Sequence, residues 1–384
     1  MGREHMSGWE RVEAAIRLTE KPDRVPIVPQ LTKAYTATYA GLTQAEACLD
    51  DELMLRSMVK IYDDVGGWDA LYCDIPDTEM MQILFWQQPL GWAVPGRDLP
   101  DDYTMQVLEK EELKYEEYGR IVEEGWQKFY FDDYVYRITN LKKPEGVKKE
   151  IEKTIHLGTI AQKEWGKRGV TNLCGSIDFH PFFKLCLMRS MIKFTEDLYY
   201  RPELVERALQ RMTDEMIPLL IDTCKKSGVK VAAFVEERAS AFYYPLKVFE
   251  RFWWKYTKQI VDSLWGEGIV LVMHLDTNWD KNIPYFKKLP KGSVVLELDS
   301  MTDIFAAKEY LRGHQAFHGD VSPSLQTIGS PEDVASYCKK LIDNVGDDGG
   351  LVLGVGCEIP PDCKKENFIA MIETAKNYEF SKKR

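Results

Sequence analysis

Short apolar runs that end in a polar residue alternate with longer amphipathic stretches along most of the chain. Eight such runs stand out: 24–30 (RVPIVPQ), 69–74 (DALYCD), 170–178 (VTNLCGSID), 229–236 (VKVAAFVE), 269–274 (IVLVMH), 293–299 (SVVLELD), 315–320 (QAFHGD) and 351–357 (LVLGVGC). They are brief and apolar on both faces, the pattern of parallel strands covered on both sides. The stretches between them carry apolar residues at helical spacing. Helices are predicted over 190–226 with an interruption near Pro202, and over 245–265, 302–311, 331–345 and 364–378, with Ser330 as an N-cap. Strand and helix alternating eight times predicts an α/β fold closed into a (β/α)8 TIM barrel. A doubly wound open sheet is the competing architecture, but no glycine-rich phosphate loop follows an early strand.

One stretch breaks the alternation. Residues 75–145, between the second and third predicted strands, hold Phe85, Trp86, Trp92, Trp126, Phe129, Tyr130, Phe131, Tyr134 and Tyr136. An insertion of this length on a barrel is expected to form a lid or a binding wall for a flat substrate; a satellite core or an oligomer contact would use the same rings. The remainder reads as a single domain over 1–384.

Composition narrows the function classes. The chain has 384 residues and a net charge of −11, so no basic surface for nucleic acid is expected. No apolar run is long enough to span a bilayer. Eight cysteines are scattered without a CxxC pair, which fits a reducing, cytoplasmic setting.

In a barrel of this type the C-terminal strand ends share one rim, where chemistry is done. The predicted strand ends supply Asp178, Glu236, His274, Asp299, Asp320 and Cys357. Acids, an imidazole and a thiol at one rim make up a metal-ligand inventory that suits zinc. Asp276 lies two residues beyond His274 and shares its face if the strand continues that far. Glu236 and Glu237 are adjacent acids, at least one of which requires a cation. His180 precedes a predicted helix start and is placed to reach substrate, as are Phe179, Glu237 and Asp320. For His180 and for His318, within the seventh strand, a structural role competes.

Three segments resemble the uroporphyrinogen decarboxylase superfamily: LYYRPELVERALQRMTDEMIPLL, FHGDVSPSLQTIGSPEDVASYCKKLI and GVGCEIPPDCKKENFIAMIETAKNY. The similarity extends over most of 165–380 and implies the same barrel. The decarboxylases of that superfamily carry an Arg-x-Ala-Gly-Arg-like motif near the N-terminus; the matching region, RVPIVPQLTKAYTATYAG, lacks the arginine pair. The chain therefore resembles more the cobalamin-dependent methyltransferase branch, whose thiol-methylating members bind zinc through a His-x-Cys pair and a later Gly-Cys. The resemblance implies metal ligation by His274 and Cys357. Asp276 stands where the first cysteine of the pattern belongs, so the third ligand is either Asp276 itself or Glu236; Glu236 is taken as the ligand, with Asp276 and Asp178 as catalytic acids. A carboxylate in place of a thiolate favours an oxygen-presenting substrate. The implied reaction is O-demethylation: a methyl group leaves a methoxylated, aromatic small molecule for the cobalt of a corrinoid. No Asp-x-His-x-x-Gly corrinoid motif occurs here, so the corrinoid (cobalamin) is expected on a partner protein. A methylcobalamin:thiol methyltransferase and a uroporphyrinogen-type decarboxylase stay open as alternatives, as does a homodimer.

Overall fold

Six parallel strands follow one another in chain order and pair with their sequence neighbours, as expected where each is followed by a helical crossover. The structure is a computed structural model describing residues 5–378; the ends of the expected 1–384 unit, residues 1–4 and 379–384, lie outside the described residues. A small antiparallel hairpin, β1 (Gly91–Ala93) with β2 (Gln106–Leu108), belongs to the insertion. The main sheet runs β3 (Ser176–Phe179), β4 (Val231–Glu236), β5 (Val270–Leu275), β6 (Val294–Leu298), β7 (Ala316–Val321) and β8 (Leu351–Val355).

The first two predicted strands close this sheet into the barrel through a few bonds rather than full ladders. In 24–30, Leu353 N donates to Pro26 O and Val28 N to Leu353 O. Pro26 and Pro29 have no N–H, so a longer ladder cannot form there. Asp69 N then donates to Ile27 O, Leu71 N to Thr171 O and Leu173 N to Leu71 O, which carries the pairing to the start of β3.

Alternate residues of each strand pack on opposite faces. Val231, Ala233, Val270, Val272, Val295, Ala316 and Val352 share one cluster around the barrel axis. Ala232, Phe234, Leu271, Met273, Leu296, Phe317 and Leu353 belong to the larger cluster beneath the helices. This parity decides which strand-end residues can meet at the mouth.

The predicted helices form close to their expected bounds: Met191–Tyr200, Pro202–Ser227, Ile304–Leu311, Pro331–Asn344 and Lys365–Asn377. Ser330 Oγ accepts from Asp333 N, and the Asp333 carboxylate accepts from Ser330 N. The stretch predicted over 245–265 is helical from Leu246 to Gly266, with a widened turn over Glu250–Trp254. No described helix is long and apolar enough to cross a membrane.

The insertion divides the two roles considered for its rings. Trp126, Phe129, Tyr130 and Tyr134 are buried and join the main core. The Tyr130 hydroxyl donates to Ile83 O, and that of Tyr134 to Pro89 O, so their polar tips are satisfied inside. Phe85, Trp86 and Phe131 instead line a cavity of about 480 Å³, together with Tyr72 and Asp178.

Candidate metal centre

His274 on β5 is in register with Glu297 on β6, and Glu297 with His318 on β7, so these three share the inward face. The β4–β5 ladder runs one bond further, from Asp276 N to Glu236 O (3.3 Å), which keeps Asp276 on the face of His274. Cys357 follows β8 with φ 85°, a conformation that strains a side-chain-bearing residue. Gly356 before it has no room for a Cβ, which would lie 2.9 Å from the Asp299 carbonyl carbon.

The result is a triangle of ligand atoms. His274 Nε2 lies 3.6 Å from Cys357 Sγ and 3.3 Å from Asp276 Oδ1, and Cys357 Sγ lies 3.9 Å from Asp276 Oδ2. Tetrahedral zinc with bonds of about 2.0–2.3 Å sets ligand atoms roughly 3.3–3.6 Å apart, close to this triangle. Asp276 Oδ1 is buried without a hydrogen-bond partner, an orphaned acceptor that a cation would satisfy. A zinc ion held by these three side chains would keep a fourth position for substrate, the pattern of catalytic rather than structural zinc. The donor set thus fits the metal.

Electrostatics point the same way. Burial works to lower the His274 imidazole, yet Asp276, Glu297 and Cys357 hold it well above its usual range. Burial pushes the Cys357 thiol up to about 12, against the pull of His274. Burial also raises Glu237 to about 7, helped by Asp276, and Glu358 to about 7, helped by Asp77. The mouth holds protons where a divalent cation would neutralise the same charges.

Beneath the triangle lies Glu297, which is buried. Its Oε2 accepts from the Tyr72 hydroxyl (3.0 Å) and lies 3.3 Å from His274 Nδ1. Its Oε1 accepts from the Gln30 side-chain amide (3.1 Å) and lies 3.5 Å from His318 Nδ1. Burial favours a proton on Glu297, but the two imidazoles outweigh it and hold the carboxyl well below its usual range. The Gln30 amide also donates to the Cys357 carbonyl oxygen, tying the first predicted strand to the ligand loop.

Other sequence-predicted residues lie elsewhere. Glu236 has the parity of Ala232 and Phe234 and points into the helix layer, not toward His274 and Cys357. There Glu236 Oε2 accepts from Trp253 Nε1 and Oε1 from Arg238 N, both at 2.8 Å. Asp276 takes the place expected of Glu236 beside the histidine and the thiol, because residues two apart on a strand share a face. Asp178, expected as a catalytic acid, pairs with buried Lys184 at 2.6 Å and borders the insertion cavity. His180 is buried: its Nδ1 accepts from Phe182 N as a helix cap, and Nε2 lies 3.1 Å from the Thr257 hydroxyl. Asp320 accepts from the Tyr337 hydroxyl (2.8 Å). Phe179 shares the inward face through its register with Val235, and Glu237 stands close enough to Asp276 for its charge to be felt.

Glu297 and Tyr72 escape the strand-end logic, whereas Gln30 is the polar end of the first run, 24–30. Glu297 does leave a trace, since a charge inside SVVLELD must be buried and paired. Tyr72 leaves none, because its role depends on which strands close the barrel.

Known proteins place this architecture. The sequence model of the uroporphyrinogen decarboxylase (URO-D) family matches residues 131–378. A methylcobamide:CoM methyltransferase, MtbA of Methanosarcina acetivorans, is 27% identical over 180 residues, 44% of this chain and 51% of that protein. A uroporphyrinogen decarboxylase of Helicobacter hepaticus is 24% identical over 224 residues, 56% of this chain and 62% of that protein. The chain thus spans about half the length of the methyltransferase it matches. Among solved structures, a methyltransferase from Methanosarcina mazei superposes with a TM-score of 0.69 at 16% identity, over 97% of this chain and 99% of that one. At that identity the likeness speaks for the barrel alone.

Proposed function

Since the chain belongs to the uroporphyrinogen decarboxylase family, we propose that it is a zinc-dependent methyltransferase, moving a methyl group from a methoxylated aromatic donor to the cobalt of a corrinoid on a separate protein. The observation that carries this reading is the triangle of His274, Asp276 and Cys357 at the strand ends. Zinc held there would supply Lewis acidity, stabilising negative charge on an oxygen leaving group. An aryl ether needs that help, because a phenolate with a pKa near 10 leaves poorly at neutral pH.

The chain's own residues do the rest. Asp276 hardens the ligand set relative to a pair of thiolates and tilts it toward oxygen. Phe85, Trp86 and Phe131 offer aromatic walls for offset stacking on a donor ring. Glu237, facing the same mouth, is placed to contact donor groups near the reacting carbon. The corrinoid protein would approach from the C-terminal rim, the end on which the ligands open.

A thiol-methylating reading draws support from the name of the Methanosarcina acetivorans relative, and Asp276 in place of a second thiolate argues against it. A decarboxylase reading draws on the Helicobacter hepaticus relative and expects a cationic grip on carboxylates. The acids around this mouth oppose it.

The test mixes the protein with cob(I)alamin and a panel of methoxylated aromatics and follows the cobalt spectrum. Methylcobalamin formation that stops when zinc is chelated and returns when it is restored is the expected result. Formation at the same rate after chelation, or no formation with any ether beside efficient methylation of a thiol from methylcobalamin, overturns the proposal.

A further inference from the structure

The barrel wall opens between its second and third strands. The two runs pair at Leu71, where Leu71 N donates to Thr171 O and Leu173 N to Leu71 O. Beyond that point no backbone bond joins 72–75 to 174–178 among the described residues, and both segments line the cavity of about 480 Å³. At its inner end stand Tyr72 and Cys174, which belong to the cluster around the barrel axis. There the Tyr72 hydroxyl meets Glu297, which backs His274. At its outer end stand Phe85 and Ile155, which are 38% and 58% exposed. The cavity thus passes through the wall, from the helix layer to the interior beneath the ligand triangle.

Its lining describes the molecule that would fill it. Met81, Leu84, Trp86, Phe131 and Leu220 give apolar walls, and the volume lies in the range of small-molecule sites. The polar groups left over are acceptors. Asn172 Oδ1 is buried without a hydrogen-bond partner. Asp178 is 3% exposed and receives both Lys184 Nζ (2.6 Å) and Phe179 N (2.7 Å) on one oxygen, Oδ1. Its Oδ2 takes no hydrogen bond from the described residues. The hydroxyl protons nearby are already engaged: Tyr72 donates to Glu297, Thr154 to Glu150 O and Thr223 to Leu219 O. The amides of Gln87 and Gln127 hold each other, at 3.2 and 3.0 Å. A buried acceptor with no donor is costly, and a hydroxyl on a ligand ring would relieve it. A ligand carboxylate would not, since it brings acceptors to acceptors. Lys184 cannot serve it, because its ammonium is spent on Asp178 and sits over the Trp126 ring at 5.0 Å, behind the lining.

Gly158 keeps the opening clear. It lies inside the helix Pro144–Gly166 and lines the cavity, and a Cβ there would meet no atom within 4 Å. Glycine weakens a helix interior, and here it leaves the port unblocked.

We propose that this seam is a side port and binding site for a neutral phenolic ring, held between the aromatic walls with its hydroxyl on Asp178, so that the mouth stays free for the corrinoid protein. The inference rests on the methyl-transfer reading above and names the class of donor, a methoxyphenol rather than a methoxybenzoate.

Isothermal titration with guaiacol (2-methoxyphenol), anisole (methoxybenzene) and 2-methoxybenzoate tests it, on the protein before and after chelation of zinc. Guaiacol is expected to bind equally in both states, because none of His274, Asp276 and Cys357 lines the cavity. Anisole and 2-methoxybenzoate are expected to bind at least about tenfold more weakly, the first for want of a donor and the second for its charge. Gly158→Leu is expected to weaken guaiacol at least about tenfold without lowering the melting temperature, since leucine suits a helix better than glycine. Anisole or 2-methoxybenzoate binding as tightly as guaiacol overturns the inference. Wild-type affinity in Gly158→Leu, or guaiacol binding that is lost on chelation, overturns it as well. Should Gly158→Leu melt below wild type, the ligand series alone decides. Guaiacol bound as expected, but with no methyl transfer to cob(I)alamin, supports the port and overturns the methyl-transfer reading. Demethylation of 2-methoxybenzoate by a chain that does not bind guaiacol keeps that reading and overturns the port.

Discussion

Two buried glutamates on strands of the same barrel face opposite ways, and each meets histidine. On β6, Glu297 points to the axis and meets His274 and His318. On β4, Glu236 points to the helices and lies 3.5 Å from His180. Both carboxyls are shut off from solvent. The inward one is surrounded by imidazole nitrogens that can carry protons, and is held well below its usual range. The outward one meets one backbone N–H and one indole N–H, and burial pushes it up to about 8. His180 is lowered well below its usual range by burial and spends its Nδ1 lone pair on a helix cap. The same two residue types thus make a charged support under an open triangle of ligands on one face and a neutral, closed network on the other. Residue inventory does not separate them; the face of the pleat does.

The sharpest way to break that contrast is to substitute one side chain at a time on each face. His274→Ala and Cys357→Ala are expected to drop bound zinc from about one per chain to less than a tenth after gentle purification. Methyl transfer should fall by at least ~10²-fold. Glu236→Gln is expected to keep its zinc. Metal analysis of the three purified variants checks this, and zinc loss in Glu236→Gln would return that residue to the ligand set.

Asp276→Cys asks how much the inward triangle owes to its carboxylate. The variant restores a His-x-Cys pair and softens the site. In the cobalt(II)-substituted protein, thiolate-to-metal absorption should roughly double, because one sulfur ligand becomes two. Turnover of an ether donor should drop about tenfold or more, while zinc stays bound. An unchanged spectrum would place residue 276 outside the coordination sphere.

Trp86→Ala probes the cavity beside the barrel. Losing one stacking ring is expected to raise KM for an aromatic donor about three- to tenfold, with kcat little changed, since a pair of rings contributes about 0.5–1.5 kcal/mol. Unaltered steady-state kinetics would mean that the donor ring lies elsewhere.

Much of the framework was legible because apolar runs and helical periodicity report burial directly. All eight runs lie in the barrel wall, although Pro26 and Pro29 reduce the first to a few bonds. His274 and Cys357 were legible because each follows an apolar run at a strand end, and Gly356 marks a close approach. Facing was not legible. In VKVAAFVE both faces of the strand are apolar, so nothing in the string says that Glu236 lies outward with Phe234. Asp276 was visible as a neighbour of His274, but its role depended on a ladder bond beyond the strand that only the fold reveals. Tyr72 reads as one more apolar position until its hydroxyl is seen on Glu297.

The closed pair is tested through stability rather than turnover. Glu236 titrates near 8 in the folded chain against an ordinary value near 4.5, chiefly because burial disfavours its charged form. Between those values the folded chain holds a proton that the unfolded chain has released. The neutral carboxyl therefore contributes stability that is fully present below about pH 4.5 and is lost as pH rises through about 8. Glu236→Gln keeps a neutral side chain at every pH and removes that dependence. The stability advantage of wild type over the variant should shrink by at most about 1.4 kcal/mol per pH unit across this window, the figure for one whole proton. Melting temperatures of both proteins in buffers from pH 5 to pH 8 check it. Parallel curves would mean that Glu236 ionises as freely as a surface acid, and the helix-layer pair would lose the neutrality that sets it apart from Glu297.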